Sequence, residues 1–122
     1  MTKILVIENE QLLRTNTLQV LEFEDFHAIG AENGLVGVRL AQEQIPDLIL
    51  CDVMMPQLDG YGVLVALRQN PATAKIPFIF TTAKASKADL HQGIELGADD
   101  FLTKPFTSDQ LLAAIATHLK NR

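Results

Sequence analysis

The sequence predicts an α/β domain in which helices cover both faces of a parallel five-stranded sheet. Short apolar segments rich in Ile, Leu, Val and Phe alternate five times with longer segments that carry apolar residues at helical spacing. One short segment, residues 77–82, is nearly all apolar, which is typical of a strand with helices on both sides. Regular alternation of this kind implies parallel strands joined by right-handed crossovers. The chain of 122 residues is long enough for one domain, residues 1–122, with a buried core.

The five strands, named β1 to β5 in chain order, are predicted at residues 3–8, 27–31, 47–52, 77–82 and 100–103. The five helices, α1 to α5, are predicted at residues 11–24, 34–44, 60–70, 87–97 and 109–122. Leucines give α1 its apolar stripe, the pair Asn33-Gly34 breaks the chain before α2, and Pro46 ends α2.

Turn and capping residues set the boundaries in the second half of the chain. Helix α3 begins near Gly60 and ends before Pro71, because a proline disfavours helical geometry in the residue before it. Ser86 is expected to cap α4 and Gly97 to end it, and α5 begins after Ser108. The predicted strand order is 2-1-3-4-5, the flavodoxin-like (βα)5 three-layer sandwich, with a functional site at its topological switch point.

Composition and charge exclude several classes of function. The net charge is −5 and no segment gathers Lys or Arg densely, so direct nucleic-acid binding is not expected. Apolar runs are only a handful of residues long, so no segment is expected to span a membrane. Residues 1–8 lack the features of a signal peptide, and we expect a cytoplasmic protein. The single Cys51 excludes an internal disulfide and is expected to be a small buried residue of β3.

Polar side chains stand at the ends of four predicted strands. Asp52 closes β3 and Glu8 closes β1. Thr82 closes β4, and Lys104 follows β5. Because the carboxyl ends of parallel strands share one edge of a sheet, two acids, a hydroxyl and an amine are expected to converge there. This set suits the binding of a phosphoryl group together with a divalent metal.

Other kinds of phosphate site do not fit the residues at these strand ends. A nucleotide-binding loop or a flavodoxin-type flavin site needs a loop rich in Gly, Ser or Thr after β1. Residues 8–11 read Glu-Asn-Glu-Gln there and would repel a phosphate. A phosphatase of the haloacid dehalogenase type needs a second Asp two residues after its nucleophile, where Met54 stands after Asp52. Asp52 is left as an expected phosphoryl acceptor.

The motifs at the strand ends resemble the receiver domain of two-component response regulators, including the chemotaxis regulators. The matching segments are residues 4–8 (ILVIE), 52–60 (DVMMPQLDG), 82–83 (TA) and 104–106 (KPF), and the resemblance covers essentially the whole chain. It implies that Asp52 accepts a phosphoryl group from a histidine kinase or a histidine phosphotransfer protein. It also implies a switch rather than an enzyme, in which a face formed by α4, β5 and α5 controls a downstream protein or effector domain.

The resemblance also implies a Mg²⁺ site. Asp52, Asn9 and the backbone carbonyl of Met54 would bind the metal, and Glu8 would act through a metal-bound water. The family usually has two acids after β1, and here Asn9 replaces the second, which is the direct ligand. The amide of Asn9 keeps an oxygen but removes one negative charge, so we expect weaker Mg²⁺ binding without its loss.

Further roles implied by the resemblance concern the switch and its lifetime. Lys104 would contact the phosphoryl oxygens, with a cis peptide bond to the proline that follows it. The Thr82 hydroxyl would bind the phosphoryl group, and the aromatic ring of Phe101 would become buried as that threonine moves inward. Met54 and Lys84 would flank the path of a hydrolytic water, and their length predicts a persistent phosphoryl-aspartate.

Two alternatives stay open at this point. A receiver-like interaction module that is never phosphorylated is favoured by Asn9, because degenerate receivers commonly lose residues of the acidic pocket. Asp52, Thr82 and Lys104 favour phosphorylation instead. A free-standing enzyme ranks last, because no substrate-pocket signature is present. The expected output face includes Lys87, His91, Phe101 and His118.

Overall fold

The computed structural model describes residues 1–83 and 86–120, except for the side chain of residue 120. Strands and helices alternate five times in this part of the chain, as predicted. The strands are Lys3–Ile7 (β1), His27–Ala31 (β2), Leu48–Asp52 (β3), Phe78–Thr82 (β4) and Asp100–Thr103 (β5). The helices are Gln11–Phe23 (α1), Gly34–Gln44 (α2), Gly60–Gln69 (α3), Lys87–Glu95 (α4) and Ser108–Lys120 (α5).

The sheet has the predicted order and direction. Its strands run β2-β1-β3-β4-β5, and every neighbouring pair is parallel. The flavodoxin-like (βα)5 prediction is therefore confirmed. Strand β2 lies on one side of β1 and β3 lies on the other. The topological switch point is therefore at the carboxyl ends of β1 and β3.

The predicted element boundaries hold to within two residues for the described part of the chain. Strand β1 ends at Ile7, so Glu8 lies in the loop after the strand instead of closing it. Helix α4 ends at Glu95, two residues earlier than predicted. The N–H of Gly97 donates to the carbonyl of Ile94 at 3.0 Å, and φ at Gly97 is 106°. Glycine adopts this left-handed backbone without strain, which closes the last turn of the helix.

Two apolar layers enclose the sheet, because successive strand residues point to opposite faces. On one face α2 and α3 pack against the strands, through buried residues that include Leu5, Ile7, Ala41, Ile49, Val63, Leu64, Leu67, Phe78 and Phe80. On the other face α1 and α5 pack through Ile4, Val6, Leu21, Leu48, Leu50, Ile79, Leu111 and Ile115. Cys51 is fully buried as a free thiol, as predicted. None of the helices in the described residues has the length and apolarity that crossing a bilayer requires.

Candidate functional site

Two carboxylates lie at the switch point of the sheet and are almost completely buried. Asp52 is the last residue of β3, and Glu8 follows β1 in the neighbouring strand position. Only 6% of Asp52 and 3% of Glu8 is exposed to solvent. Two buried acids side by side repel each other, so the folded chain must offset their charge with a cation or a hydrogen-bond donor.

Lys104 supplies that positive charge from the loop after β5. Its Nζ donates to Glu8 Oε1 at 2.7 Å and lies 3.4 Å from Asp52 Oδ1. The backbone N–H of Lys104 donates to the carbonyl of Thr82, which ties this loop to the end of β4. The peptide bond between Lys104 and Pro105 is cis, as the family resemblance predicted. The structure thus brings Glu8, Asp52 and Lys104 together.

Glu8 is held by both its carboxylate and its backbone. Its Oε2 accepts a hydrogen bond from the N–H of Glu10 at 3.1 Å, and its own N–H donates to the carbonyl of Ala31 at 3.0 Å. The N-cap position of α1 is Glu10, which makes no capping bond with its side chain. Neither Glu8 nor Asn9 occupies the N-cap position, and both side chains face the site.

The side-chain amide of Asn9 faces both carboxylates. Its inward-facing atom lies 3.3 Å from Glu8 Oε2 and 3.2 Å from Asp52 Oδ2. An amide presents either its nitrogen or its oxygen, depending on a half-turn about its last bond. With the nitrogen inward, it donates to both carboxylates at these distances. With the oxygen inward, three side-chain oxygens converge, and a cation is needed between them.

Burial raises the pKa of Asp52 from 3.8 to about 6. The negative charge of Glu8 adds to this increase in pKa, and the positive charge of Lys104 opposes it. Asp52 is consequently an ionised carboxylate at neutral pH but a more basic one than an exposed aspartate. A more basic carboxylate is a better nucleophile and a stronger ligand for a hard cation.

The oxygen donors at this site fit a small divalent cation. Asn9, Asp52 and Glu8 offer amide and carboxylate oxygens, the ligands that Mg²⁺ prefers. Within residues 1–83 and 86–119, no three His, Cys, Asp or Glu side chains group in a way that could hold a metal. The third side-chain oxygen is instead that of Asn9. Burial raises the pKa of the neighbouring Cys51 thiol well above its usual value, which favours the neutral thiol.

Thr82 and Phe101 lie on the β4 and β5 side of the site. Thr82 is 1% exposed, and β4 pairs with β3 so that Thr81 stands beside Asp52. Phe101 is half-buried and its ring packs on Phe80 with centroids 5.3 Å apart. Above this pair lies Gly93 of α4, where an added Cβ would collide with the Phe101 ring. Phe101 is therefore confined between the sheet and α4.

The other predicted residues lie at the rim of the site or outside the described part of the chain. The side chain of Met54 is 60% exposed, two residues after Asp52. Lys84 falls outside the described residues. On the predicted output face, His118 Nε2 lies 2.9 Å from Asp100 Oδ2, and His91 Nε2 lies 2.9 Å from Glu95 Oε1.

Sequence reasoning missed one residue that contacts the site. Arg14 of α1 donates its Nη1 to the backbone carbonyl of Glu8 at 2.8 Å. The available signal was its position six residues after Glu8, one turn into the helix that follows the acidic loop. A single arginine at that spacing is not distinguishable from a surface residue of an amphipathic helix.

Comparisons with known proteins agree with this geometry. The profile of the family described as response regulator receiver domain matches residues 4–116. The transcriptional regulatory protein CpxR of Escherichia coli (strain K12) is 42% identical over 120 residues, which cover 98% of this chain and 50% of that protein. The chain spans about half the length of the curated relatives that it matches.

Solved structures place the chain in the same family. The chemotaxis protein CheY4 of Vibrio cholerae has a TM-score of 0.93 and 26% identity, covering 96% of this chain and 98% of its own. The receiver domain of sensor histidine kinase PA1611 from Pseudomonas aeruginosa PAO1, with a magnesium ion coordinated in its active site cleft, has a TM-score of 0.90. It is 28% identical and covers 98% of both chains. Receiver domains pair with histidine kinases and are phosphoacceptor switches rather than enzymes. The chain belongs to the response regulator receiver domain family of two-component signal transduction.

Proposed function

We propose that this receiver accepts a phosphoryl group on Asp52 from the phosphohistidine of a histidine kinase or histidine phosphotransfer protein. The supporting observation is the buried Asp52 carboxylate at the switch point, with Lys104 Nζ 3.4 Å away. An oxygen of Asp52 attacks phosphorus, and the phosphorus–nitrogen bond of the donor breaks. The electron pair of that bond stays with the imidazole nitrogen, which a proton from solvent then neutralises.

Lys104 and Thr82 stabilise the phosphoryl group after transfer. In the unphosphorylated chain Lys104 Nζ lies closer to Glu8, at 2.7 Å, than to Asp52. A phosphoryl group on Asp52 brings additional negative charge, which draws the ammonium toward it. The hydroxyl of Thr82 donates to a phosphoryl oxygen, and Phe101 moves inward with it. The face of α4, β5 and α5 changes as a result and controls a downstream protein or effector domain.

Asp52, Asn9 and the backbone carbonyl of Met54 would hold Mg²⁺, with Glu8 acting through a bound water. When bound, the metal offsets the negative charge of the carboxylate and the phosphoryl group. The convergence of the Asn9 amide on Glu8 and Asp52 supports this ligand set. So does the magnesium ion in the cleft of the PA1611 receiver.

Asn9 weakens Mg²⁺ binding relative to receivers with two acids after β1. Replacing Asn9 with Asp adds one negative charge beside the cation, so Asn9→Asp is expected to tighten Mg²⁺ binding about tenfold. An Mg²⁺ titration of both proteins measures this difference. Equal dissociation constants would sink the proposal that the amide limits affinity.

The phosphoryl-aspartate is expected to persist, because Met54 and Lys84 are long residues at the two positions that flank the path of a hydrolytic water in the family, which predicts partial shielding. Its decay is measured after removal of the donor, in wild type and in Met54→Ala and Lys84→Ala. Faster decay in the variants supports the shielding. Fast decay in wild type that neither variant alters would contradict it.

The test of phosphorylation is intact mass after incubation with acetyl phosphate and Mg²⁺. We expect one added phosphoryl group, which is absent in Asp52→Asn and in the presence of a metal chelator. A phosphohistidine protein serves as second donor. An adduct retained by Asp52→Asn would assign the acceptor to another residue, and no adduct from either donor would exclude phosphoryl transfer.

A cytoplasmic interaction module that is never phosphorylated is the second candidate. Its support is the Asn9 amide, whose nitrogen can bridge the two carboxylates and stabilise the pocket without metal. Such a module would bind its partner equally well as wild type and as Asp52→Asn.

Residues 1–122, with their net charge of −5, are expected to act through proteins and not through direct nucleic-acid contact.

A further inference from the structure

Arg14 makes an unusual contact with the acidic loop. Its guanidinium Nη1 donates to the backbone carbonyl of Glu8 at 2.8 Å, and its backbone N–H donates to the carbonyl of Glu10 at 2.9 Å. The side chain reaches from the first turn of α1 back to the end of β1. The backbone bond is the regular bond of the first helical turn, so the side chain alone makes the additional contact with the end of β1. Its partner at the site is a carbonyl rather than a carboxylate.

The stem of this side chain passes close to a glycine in β2. Gly30 stands opposite Val6 in the sheet, and a Cβ built on it would lie 2.9 Å from Leu18 Cδ1 and 3.5 Å from Arg14 Cδ. The apolar stem of Arg14 therefore passes over a strand position that has no side chain. The guanidinium of Arg14 reaches the loop at the switch point, while its apolar stem packs over Gly30.

The carbonyl that Arg14 binds lies in the peptide unit that leads into Asn9. The carbonyl of Glu8 and the N–H of Asn9 belong to one planar peptide unit. The preceding peptide is fixed by the bond from the Glu8 N–H to Ala31. With the Glu8 carbonyl held as well, the backbone of Glu8 and the plane of the peptide that leads into Asn9 are set before any ligand binds.

This preorganisation matters more for an amide than for an acid. A carboxylate at position 9 would be drawn to a cation by its full charge, whereas the neutral Asn9 amide offers only a dipole. The contribution of the Asn9 amide to Mg²⁺ affinity therefore depends more strongly on its orientation before the metal binds. Groups that orient metal ligands from outside the coordination shell typically change metal affinity by about 10- to 100-fold.

We propose that Arg14 is a positioning residue of the metal pocket, which acts by fixing the Glu8–Asn9 peptide. This role rests on the proposed Mg²⁺ site. It predicts that the guanidinium raises Mg²⁺ affinity through geometry, although one positive charge near the pocket by itself opposes cation binding.

The test is an Mg²⁺ titration of the full chain, followed through the backbone amide resonances of Asn9 and Glu10. The variants are Arg14→Gln, Arg14→Lys and a control, Arg39→Gln. Arg39 lies on α2, with 66% of its side chain exposed and a loose ion pair to Glu43 at 3.9 Å. Both glutamine variants remove one positive charge. Urea unfolding in chelator reports the stability of each protein without metal.

We expect Arg14→Gln to weaken Mg²⁺ binding about tenfold and Arg39→Gln to leave it unchanged. Arg14→Lys keeps a donor and a charge, so it should recover part of the loss. In an Asn9→Asp background the effect of Arg14→Gln should shrink, because a full charge needs less aiming. Such coupling between the two positions is measured by a double-mutant cycle.

Several results would overturn the role of Arg14. Equal weakening by both glutamine variants would show an effect that is not specific to the pocket, because the loss of a positive charge by itself favours binding of a cation. Lower stability with unchanged Mg²⁺ affinity would mean that Arg14 contributes to packing only. Additive effects of Arg14→Gln and Asn9→Asp would exclude action of Arg14 through Asn9. Absence of Mg²⁺ binding by the wild type would overturn the proposed cofactor along with this role. Wild-type binding that Arg14→Gln leaves intact would overturn the role alone.

Discussion

Helices α3 and α4 follow the two strands that carry Asp52 and Thr82, yet they pack very differently. Helix α3 buries Val63, Leu64 and Leu67 completely, together with Gly60 at its start. Helix α4 buries only Gly93, and its Ile94 is 60% exposed. Both helices are capped by side chains, Asp59 for α3 and Ser86 for α4, so the difference lies in packing and not in helix ends.

This contrast divides the site into a fixed and a weakly held side. Strand β3, which ends in Asp52, continues into a helix anchored in the core. The strand with Thr82 continues into a helix that has few buried contacts and can shift at low cost. The following changes test this difference between α3 and α4.

The largest effect is expected from truncating the anchored helix. Leu64→Ala removes a fully buried side chain of α3 and should lower the free energy of unfolding by about 2–5 kcal/mol. The matched change in α4, Ile94→Ala, removes an exposed side chain and should change it by less than about 0.5 kcal/mol. Urea unfolding of both variants measures the difference. Similar losses would mean that α4 is anchored as firmly as α3.

The charge of Asp52 is expected to destabilise the fixed side at neutral pH. Its folded pKa of about 6 lies above the ordinary value of 3.8, so the folded chain binds the proton more tightly than the unfolded chain. Protonation of Asp52 therefore adds to the free energy of unfolding. This contribution is complete below pH 4 and is lost as the pH rises through 6.

Asp52→Asn should therefore raise the free energy of unfolding at pH 7 by on the order of 2–3 kcal/mol in metal-free buffer. The difference between the two proteins should vanish near pH 4. Unfolding curves at several pH values in chelator provide the measurement. A difference that does not depend on pH would refute this account of the pKa.

Gly93→Ala tests the confinement of Phe101 beneath α4. The added Cβ would collide with the Phe101 ring and lie 3.0 Å from Phe80 Cε2. Overpacking of this kind costs about 1–3 kcal/mol, more than the gain of up to about 1 kcal/mol from the helix propensity of alanine. We expect reduced stability that Phe101→Leu restores in the double variant. A Gly93→Ala protein as stable as wild type would show that α4 moves aside freely.

The smallest effect is expected at the hydrogen bond between the two helices. The hydroxyl of Tyr61 in α3 donates to the carbonyl of Asp89 in α4 at 3.3 Å, while its ring packs on Phe80. Tyr61→Phe keeps the ring and should cost about 0.5–1 kcal/mol. Hydrogen exchange should become faster in α4 and stay unchanged in α3. Equal acceleration in both helices would mean that the bond does not hold α4 specifically.

Much of the site could be predicted from the sequence because it depends on local patterns. Strand periodicity and turn residues located Asp52 and Thr82 at strand ends, and parallel strands bring such ends to one edge. The motif around Lys104 likewise predicted its cis bond to Pro105, which the structure has. The roles of Met54 and Lys84 in lifetime stay predictions.

Other features could not be predicted because they depend on which atoms meet across the fold. The preference of Lys104 for Glu8 over Asp52 joins residues 96 positions apart and depends on the path of the loop after β5. The bond from Arg14 to the Glu8 carbonyl depends on how α1 crosses β2 at Gly30. Neither contact can be inferred from the spacing of residues alone.

The sequence by itself determined the parallel (βα)5 fold, the residue types at its active edge and the neutral Asn9 among the acids. These follow from apolar periodicity and chain order, which are local properties. Only the tertiary structure decided how the charges pair, how far burial raises the pKa of Asp52, and which of the two flanking helices is anchored. Those quantities depend on desolvation and on distances between side chains, which are fixed when all the elements pack together.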